Sequence, residues 1–354
     1  MVPSVGIAAI AVVLAAAPPS QASGLTFINK TTANGLGGNT VYNVYAGGST
    51  IYAATMNGLS ISTNGGTSFT NKNTTSGLGD SPVFGVYASG STIYAATMNG
   101  LSISTNGGTS FTNITANGLG DSTVLGVYAS GSTIYAATLN GLSISTNGGT
   151  SFANKNTTSG LGGNTVYSVY ASGSTIYAAT NNGLSISTNG GTSFTNKNTT
   201  SGLGNNTVNG VSASGSTIYA ATNNGLSIST NGGTSFTNYT TANGLPSNAL
   251  RGVYASGSTI YAATSNGLSI STNGGTSFTN YTTANGLGSN SLRGVYASGG
   301  TVYVATDEGL SMASQTQPVP APLPILSSGL AVGYGRRLRR QSLRLRQAAS
   351  NARA

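Results

Sequence analysis

The chain contains 354 residues, of which 38% are hydrophobic and only 5% are charged, and it lacks cysteine and histidine. These absences exclude disulfides, thiolate or histidine metal sites and Ser-His-Asp catalysis. The formal net charge of +9 comes mainly from seven arginines after residue 335, whereas the six other basic residues face four acids. Nucleic-acid binding needs clustered Lys and Arg on the folded part of a protein, so we expect no nucleic-acid partner, and we also expect no metal and no cofactor.

The first residues resemble a targeting segment. Val5–Ala17 is almost wholly apolar and is followed by Ser20-Gln21-Ala22. This length is typical of a secretory signal peptide and too short for a spanning helix. Met1–Gly6 carries no Lys or Arg, unlike most signals, and a buried apolar segment is the alternative. The sequence predicts a signal peptide over residues 1–22.

One sequence unit then recurs along the chain with an almost constant period. Its phenylalanine returns at steps of 41 or 42 residues, at Phe27, Phe69, Phe111, Phe152, Phe194, Phe236 and Phe278. A period of about 40–45 residues is typical of a four-stranded propeller blade.

Each unit is predicted to be an antiparallel meander. In the first complete unit the apolar alternation and the turn residues predict four strands, over Thr40–Ala46, Thr50–Thr55, Leu59–Ser62 and Ser68–Asn71. The turns between them are Gly47-Gly48, Asn57-Gly58 and Asn64-Gly65-Gly66. Such tight turns force neighbouring strands to run antiparallel.

Both faces of the meander need cover, because Ile51 and Ala53 point to one side of the second strand and Tyr52 and Ala54 to the other. Radial packing of like sheets supplies that cover. The segment 25–29 aligns with a fourth strand and the segment 309–312 with a third strand, so that together they complete one blade. We predict an all-β, seven-bladed propeller over residues 23–314, closed by the N-terminal strand. A parallel β-helix is the alternative, although it turns by long coils.

The turn Ser62–Phe69 resembles the Asp-box hairpin of sialidase-type propellers, with Asn64 for the usual Asp and Phe69 for Trp. A short Asx side chain accepts backbone N–H bonds in such a turn and glycine takes the left-handed position. We expect a structural role for the asparagines at this place, which are Asn64, Asn106, Asn147, Asn189, Asn231 and Asn273.

The stretch Asn243–Thr272 is similar to the two-component-regulator propeller repeat, with Gly-Leu-Pro, an apolar strand and a Gly-Leu hairpin. That resemblance implies a sensor-type ectodomain. No kinase sequence follows in this chain.

The C-terminal part changes composition. Residues 315–322 form a Pro-rich linker, residues 323–340 an apolar then basic segment, and residues 341–354 a basic tail. Val319–Arg340 resembles a PEP-CTERM sorting signal, with Ala321 in place of the usual Glu. The resemblance implies an exported bacterial protein, transient membrane anchoring by this segment and processing by an exosortase-like enzyme. A basic tail that contacts anionic lipid, or an anchor that is kept, is the alternative.

No catalytic constellation is visible. The only glutamate, Glu308, adjoins Asp307 on one hairpin, and two adjacent acids do not face each other across a sugar. Asp80 and Asp121 occupy equivalent places in neighbouring repeats and could approach one another, or they are solvated loop residues. We expect a protein that is not an enzyme. A sialidase- or glycosidase-type hydrolase is the alternative.

The repeats differ mainly at two places on one predicted face. The hairpin between the second and third strands carries Met56, Met98, Leu139, Asn181, Asn223, Ser265 or Asp307. One first-strand position carries Tyr42, Phe84, Leu125, Tyr167, Asn209, Arg251 or Arg293. We predict Tyr42, Phe84, Tyr167, Arg251 and Arg293 as ligand-binding residues, with blade packing as the alternative.

Two functions are open at this point. The first is an exported, non-catalytic propeller at the cell envelope or in extracellular matrix, which binds extracellular polysaccharide through its variable face. The polysaccharide is implied by the resemblance of the tail to exosortase substrates. The second is a purely structural surface-coat protein.

Overall fold

The computed structural model describes residues 24–314, which form seven four-stranded antiparallel sheets. The predicted all-β, seven-bladed propeller is confirmed, and the parallel β-helix alternative is wrong. The predicted signal peptide (1–22), linker (315–322), sorting segment (323–340) and basic tail (341–354) lie outside the described residues. Within residues 24–314, no helix is long and apolar enough to cross a membrane.

The strands follow one another with nearly identical bounds in each repeat. The chain begins with β1 (Ile28–Lys30), β2 (Val41–Gly47), β3 (Thr50–Thr55), β4 (Gly58–Ser62), β5 (Thr70–Lys72), β6 (Val83–Ser89), β7 (Thr92–Thr97), β8 (Gly100–Ser104), β9 (Thr112–Ile114), β10 (Val124–Ser130), β11 (Thr133–Thr138), β12 (Gly141–Ser145), β13 (Ala153–Lys155) and β14 (Val166–Ser172). It continues with β15 (Thr175–Thr180), β16 (Gly183–Ser187), β17 (Thr195–Lys197), β18 (Val208–Ser214), β19 (Thr217–Thr222), β20 (Gly225–Ser229), β21 (Thr237–Tyr239), β22 (Leu250–Ser256), β23 (Thr259–Thr264), β24 (Gly267–Ser271), β25 (Thr279–Tyr281), β26 (Leu292–Ser298), β27 (Thr301–Thr306) and β28 (Gly309–Ser314).

Short 3-10 helices follow most of the fourth strands. They span Thr32–Asn34, Thr74–Ser76, Thr157–Ser159, Thr199–Ser201, Thr241–Asn243 and Thr283–Asn285. Each begins after an Asn or Thr whose side chain caps it, and each ends at a glycine in the left-handed region, as at Asn73 and Gly77.

The first strand departs from the predicted regular alternation. Val41 pairs with Thr55 and Asn43 with Ala54, so Tyr42 is an extra residue in a β-bulge. The reason lies in the buried side chains, because Val41, Val44 and Ala46 are buried and their spacing is three residues and then two. The same bulge occurs in all seven blades.

The fourth strand begins two residues later than predicted, at Thr70. Phe69 is buried, and its N–H donates to the carbonyl of Asn34, the last residue of the 3-10 helix that precedes β2, so this residue lies outside the sheet ladder.

The core lies between the blades, as the two apolar faces of each meander predict. Ile51 and Ala53 pack with Leu310 of the last blade, whereas Tyr52 and Ala54 pack with Ile93 of the next one. Each sheet therefore shares one core cluster with each neighbour, which is why no blade is stable alone.

The N-terminal strand closes the last blade. β1 pairs antiparallel with β28, from Ile28 opposite Met312 to Lys30 opposite Leu310. The Asn29 amide donates to the carbonyl of Glu308 and accepts from Ser311. The ring therefore has no open terminal blade.

The Asp-box-like turns are held by short hydrogen bonds. Ser62 Oγ accepts the N–H of Gly66 at 2.9 Å and donates to Asn64 Oδ1, which also accepts the N–H of Ser68. Gly66 has a φ of 84°, and a Cβ there would lie 2.8 Å from Met312. This position therefore requires glycine both for its φ and for the close approach of the neighbouring blade.

Candidate binding basin at the variable face

The seven bulge residues meet at one end of the propeller axis. The first strands of neighbouring blades lie next to one another, as β2 does with β6 and with β26. The bulge turns one side chain of each strand into the central opening, where they line a basin of about 480 Å³. Its wall is formed by Tyr42, Phe84, Leu125, Tyr167, Asn209, Arg251 and Arg293, with Asn223, Ala249 and Leu250. We call this cavity the basin.

Small residues narrow the channel below the basin. The position after each bulge is glycine in five of the seven blades, and a Cβ on Gly85 would lie 3.1 Å from the Cα of Gly126. Backbones therefore approach closely around the axis and leave a neck of about 200 Å³.

In six of the seven blades, the basin residue resembles in polarity the hairpin residue fourteen positions later, and the exception is Tyr167 with Asn181. The seven pairs are Tyr42 with Met56, Phe84 with Met98, Leu125 with Leu139, Tyr167 with Asn181, Asn209 with Asn223, Arg251 with Ser265, and Arg293 with Asp307. The first three pairs are apolar and the last three are polar. One side of the basin is therefore aromatic and aliphatic, and the other is amide and cationic.

The aromatic and cationic sides meet at Tyr42. Its ring contacts Phe84 edge to face, with centroids 5.4 Å apart. The Arg293 guanidinium carbon lies 5.2 Å from the centroid of the Tyr42 ring, and Arg293 forms a salt bridge with Asp307. Arg293 is thus neutralised and fixed in the wall.

Arg251 differs from Arg293 in its surroundings. It is exposed in the basin, its hairpin partner is the neutral Ser265, and Ser265 is bonded to Ser247. Among residues 24–314 no acid forms a salt bridge with Arg251. Its guanidinium is therefore available to a carboxylate or another anionic group.

The electrostatics of the basin also depend on Asp307. Partial burial acts to raise the pKa of this carboxyl, but hydrogen bonds from Ser291 and Arg293 and the charges of Arg293 and Arg251 outweigh it. The pKa of Asp307 therefore lies below its usual value, and the carboxylate keeps its charge at neutral pH.

The amide side of the basin is already bonded. Asn209 Nδ2 donates to Asn223 Oδ1 at 2.8 Å and to the carbonyl of Leu250 at 2.7 Å. These bonds orient the amide of Asn209 beside Arg251 and fix the wall before a ligand arrives.

An apolar rim surrounds the aromatic side. Met56, Met98 and Leu139 stand at the hairpins of three consecutive blades and are 43–48% exposed. Large exposed apolar side chains grouped on one face are typical of interaction surfaces.

Two of the acids predicted as alternatives for catalysis accept hydrogen bonds within their own loops. Asp80 accepts the N–H of Ser81, and Asp121 accepts the N–H of Thr123, so each acid is engaged in its own loop. Glu308 is exposed at the hairpin tip. No group of three or more acids that could hold a metal occurs in the part of the chain that the structure describes.

Sequence reasoning brought the five predicted binding residues to one cavity but missed their local geometry. The buried spacing in Val-Tyr-Asn-Val-Tyr-Ala (41–46) is a sequence signal for the bulge. The sequence also did not reveal that Arg293 is paired with an acid whereas Arg251 is not, because the partner of each arginine depends on the register across the hairpin.

Comparison with known proteins supports the fold. No protein-family model and no curated protein sequence matches the chain. Among solved structures, it is similar to the extracellular domain of a hybrid two-component system from B. thetaiotaomicron, with 18% identity, a TM-score of 0.69, and coverage of 83% of this chain and 42% of that one. It therefore spans about two fifths of that ectodomain.

Two other similar structures have different functions. The GH74 enzyme of Niastella koreensis has 21% identity and a TM-score of 0.58, over 78% of this chain and 43% of that one. YCF48 bound to D1 peptide has 13% identity and a TM-score of 0.63, over 85% of this chain and 99% of that one. At such identities the similarity shows the propeller fold alone, shared by sensor ectodomains, an enzyme and a peptide-binding protein.

Proposed function

We propose that this protein is an exported, non-catalytic propeller that binds an acidic carbohydrate in the basin of its variable face. The observation that carries the proposal is Arg251, an exposed guanidinium without a carboxylate partner among the described residues, in a basin whose other side is aromatic. A guanidinium at such a place favours a ligand that brings its own negative charge.

The rest of the basin suits a sugar. Aromatic rings such as Tyr42 and Tyr167 offer flat apolar surface, and the neighbouring Asn209 and Arg251 offer polar contacts. A uronic acid carries all of the groups that such a wall would recognise, since it combines a flat apolar face, hydroxyls and a carboxylate.

Export is the second part of the proposal. It is supported by the signal-like segment 1–22 and by the resemblance of Val319–Arg340 to a sorting signal. Similarity to an extracellular sensor domain is consistent with it. Exosortase-like processing would remove the tail. An intact-mass measurement on protein from the native surface tests this step. A mass that includes Arg336–Arg353 would contradict processing.

The absence of catalysis is the third part. A glycosidase needs two carboxyls on opposite sides of the scissile bond. The basin wall contains no carboxyl that is free for this chemistry, since Asp307 is bonded to Arg293 and Ser291. The similarity to a GH74 enzyme therefore concerns the scaffold.

Peptide binding is a second candidate, and the apolar rim favours it. Met56, Met98 and Leu139 would pack against apolar side chains of a bound segment, as methionine-rich surfaces do. YCF48, which shares the fold, has been solved with a bound peptide.

A glycan array distinguishes these functions. We expect wild-type protein to retain acidic glycans and Arg251→Ala to lose them. Lys72→Ala, which removes a cation of the outermost strand β5, is expected to bind as wild type does. Retention that is equal in all three proteins would contradict the basin as the site. No retention of any glycan would favour a peptide ligand or a structural coat protein.

A further inference from the structure

A second ring of side chains surrounds the other end of the channel. It is formed by the residue three places after the bulge, about 10 Å further along each first strand. Six blades carry tyrosine there, namely Tyr45, Tyr87, Tyr128, Tyr170, Tyr254 and Tyr296. Neighbouring rings in this series have centroids 4.7–5.3 Å apart and interplanar angles of 41–53°. We call this series the tyrosine ring.

The ring is interrupted in one blade. The aromatic contacts run without a break from Tyr254 through Tyr296 and Tyr45 to Tyr170, but the seventh place is Ser212. Ser212 is buried, and its Oγ accepts the N–H of Ala255 at 3.3 Å. Its short side chain occupies only the base of the place that a phenol ring fills in every other blade.

The cavity at this end is neutral and open to a small molecule. Its volume is about 330 Å³, and it is lined by the tyrosine ring, Ser212 and valines of the first strands, with no charged side chain in the lining. Burial, together with the neighbouring tyrosines, raises the pKa of Tyr87 and of Tyr296. These hydroxyls therefore stay protonated and can both donate and accept.

We propose that the gap at Ser212 is a binding site for one phenolic ring, supplied by a small phenol or by a tyrosine side chain of another molecule. The ligand ring would lie between Tyr170 and Tyr254 in the tilted arrangement that the six tyrosines already show. Its hydroxyl would join those of the ring. The site would lie at the opposite end of the channel from the basin and would not depend on the proposed carbohydrate function.

The symmetry of the fold identifies the ligand class. Six of seven equivalent places are occupied by a 4-hydroxyphenyl group on an almost identical backbone, so the geometry around the seventh is shaped for that group. A charged ligand would lose its hydration without an ion partner in the lining, which excludes carboxylates and ammonium groups from the gap.

The direct test measures binding of p-cresol and of N-acetyl-L-tyrosinamide to the full chain by titration calorimetry, with cyclohexanol as the non-aromatic control. We expect both aromatic probes to bind wild-type protein and cyclohexanol to bind at least about tenfold more weakly. If only p-cresol binds, the source is a free phenol, whereas binding of both allows a tyrosine side chain of a partner.

Two variants make the test specific. Ser212→Tyr completes the ring and is expected to abolish binding of both probes, whereas Ser212→Ala keeps the gap and is expected to bind as wild type does. Amide NMR tests the site in wild-type protein, without any substitution. The N–H of Ala255 is bonded to Ser212, so p-cresol in the gap should shift its resonance. Absence of binding to wild type, equal binding to Ser212→Tyr, or an unshifted Ala255 resonance would overturn the proposal.

Discussion

Arg293 and Asp307 form a salt bridge across the hairpin of the last blade, with Nε and Oδ1 2.5 Å apart. The bond joins a bulge residue to the hairpin residue fourteen places later, which is the same relation that joins Asn209 to Asn223. It neutralises one of the two basin arginines and leaves Arg251 as the cation that a ligand can meet.

This salt bridge should contribute little to stability and should depend on pH. The two side chains are each about one third exposed, so Asp307→Asn should lower the free energy of unfolding by at most about 1 kcal/mol. Because the folded pKa of Asp307 is lowered, the contribution is present above the ordinary pKa of an aspartate and is lost as the pH falls through the folded value. Urea unfolding of both proteins at neutral and acidic pH checks this. A difference that grows on acidification would contradict it.

Closure by β1 should be essential for stability. Phe27 is buried against the last blades, so Phe27→Ala should cost about 3–5 kcal/mol. The adjacent Ile28 is 64% exposed, and Ile28→Ala should change the free energy of unfolding by less than about 0.5 kcal/mol.

Deletion of residues 24–30 should lower the melting temperature further, because it leaves the edge of β28 unpaired. An unchanged melt of the deletion variant would show that the ring does not depend on β1.

The Asp-box-like turns should act on stability alone. Ser62→Ala leaves the buried N–H of Gly66 without its acceptor and should cost about 1–3 kcal/mol. Thr67→Ala removes an exposed hydroxyl that donates to the carbonyl of Asn64, and it should cost much less. Thermal melting and glycan retention are measured together. Loss of retention by Asn64→Ala with an unchanged melt would contradict a structural role of the turn.

The tyrosine ring should make the folded protein less stable at alkaline pH. Burial raises the pKa of Tyr87 and Tyr296 above that of an unfolded tyrosine. For a raised pKa the stability is present below the unfolded value, near pH 10, and is lost as the pH rises towards the folded value. The double variant Tyr87→Phe with Tyr296→Phe should therefore lose less stability than wild type between about pH 9 and pH 11.

Urea unfolding across that range gives the comparison, with Tyr42→Phe as a control that removes a hydroxyl outside the ring. Equal alkaline loss in wild type and in the double variant would show that the ring tyrosines are not the groups responsible.

The fold could be predicted from the sequence because the same turn residues and the same apolar alternation recur in each repeat. The period, the Asn-Gly hairpins and the two apolar faces of β3 all require a closed ring of meanders, and the fragments at 25–29 and 309–312 indicate how it closes. The bounds of the fourth strand were predicted less accurately, because the N–H of Phe69 is bonded to the end of a 3-10 helix and not to the sheet.

The residues that line the candidate site could be predicted from the sequence, but their local geometry could not. Variation among repeats identified the five basin residues, yet regular alternation was assumed for the first strand and the bulge at Tyr42 was missed. The difference between Arg251 and Arg293 depends on contacts across a hairpin. The tyrosine ring was overlooked because its residues are nearly uniform among the repeats and only the variable positions were considered. The exception at Ser212 became informative once the six rings were seen in contact.

The most direct test of the account is the affinity of a uronic-acid oligosaccharide for wild-type protein, Arg251→Gln and Asp307→Asn, measured by titration calorimetry. We expect about ten- to hundredfold weaker binding by Arg251→Gln, because a charge-assisted hydrogen bond is lost. We expect tighter binding by Asp307→Asn, because Arg293 loses its salt bridge and becomes available to the ligand. Binding by Arg251→Gln that equals wild type, together with no gain in Asp307→Asn, would contradict the assignment of the basin as an acidic-carbohydrate site.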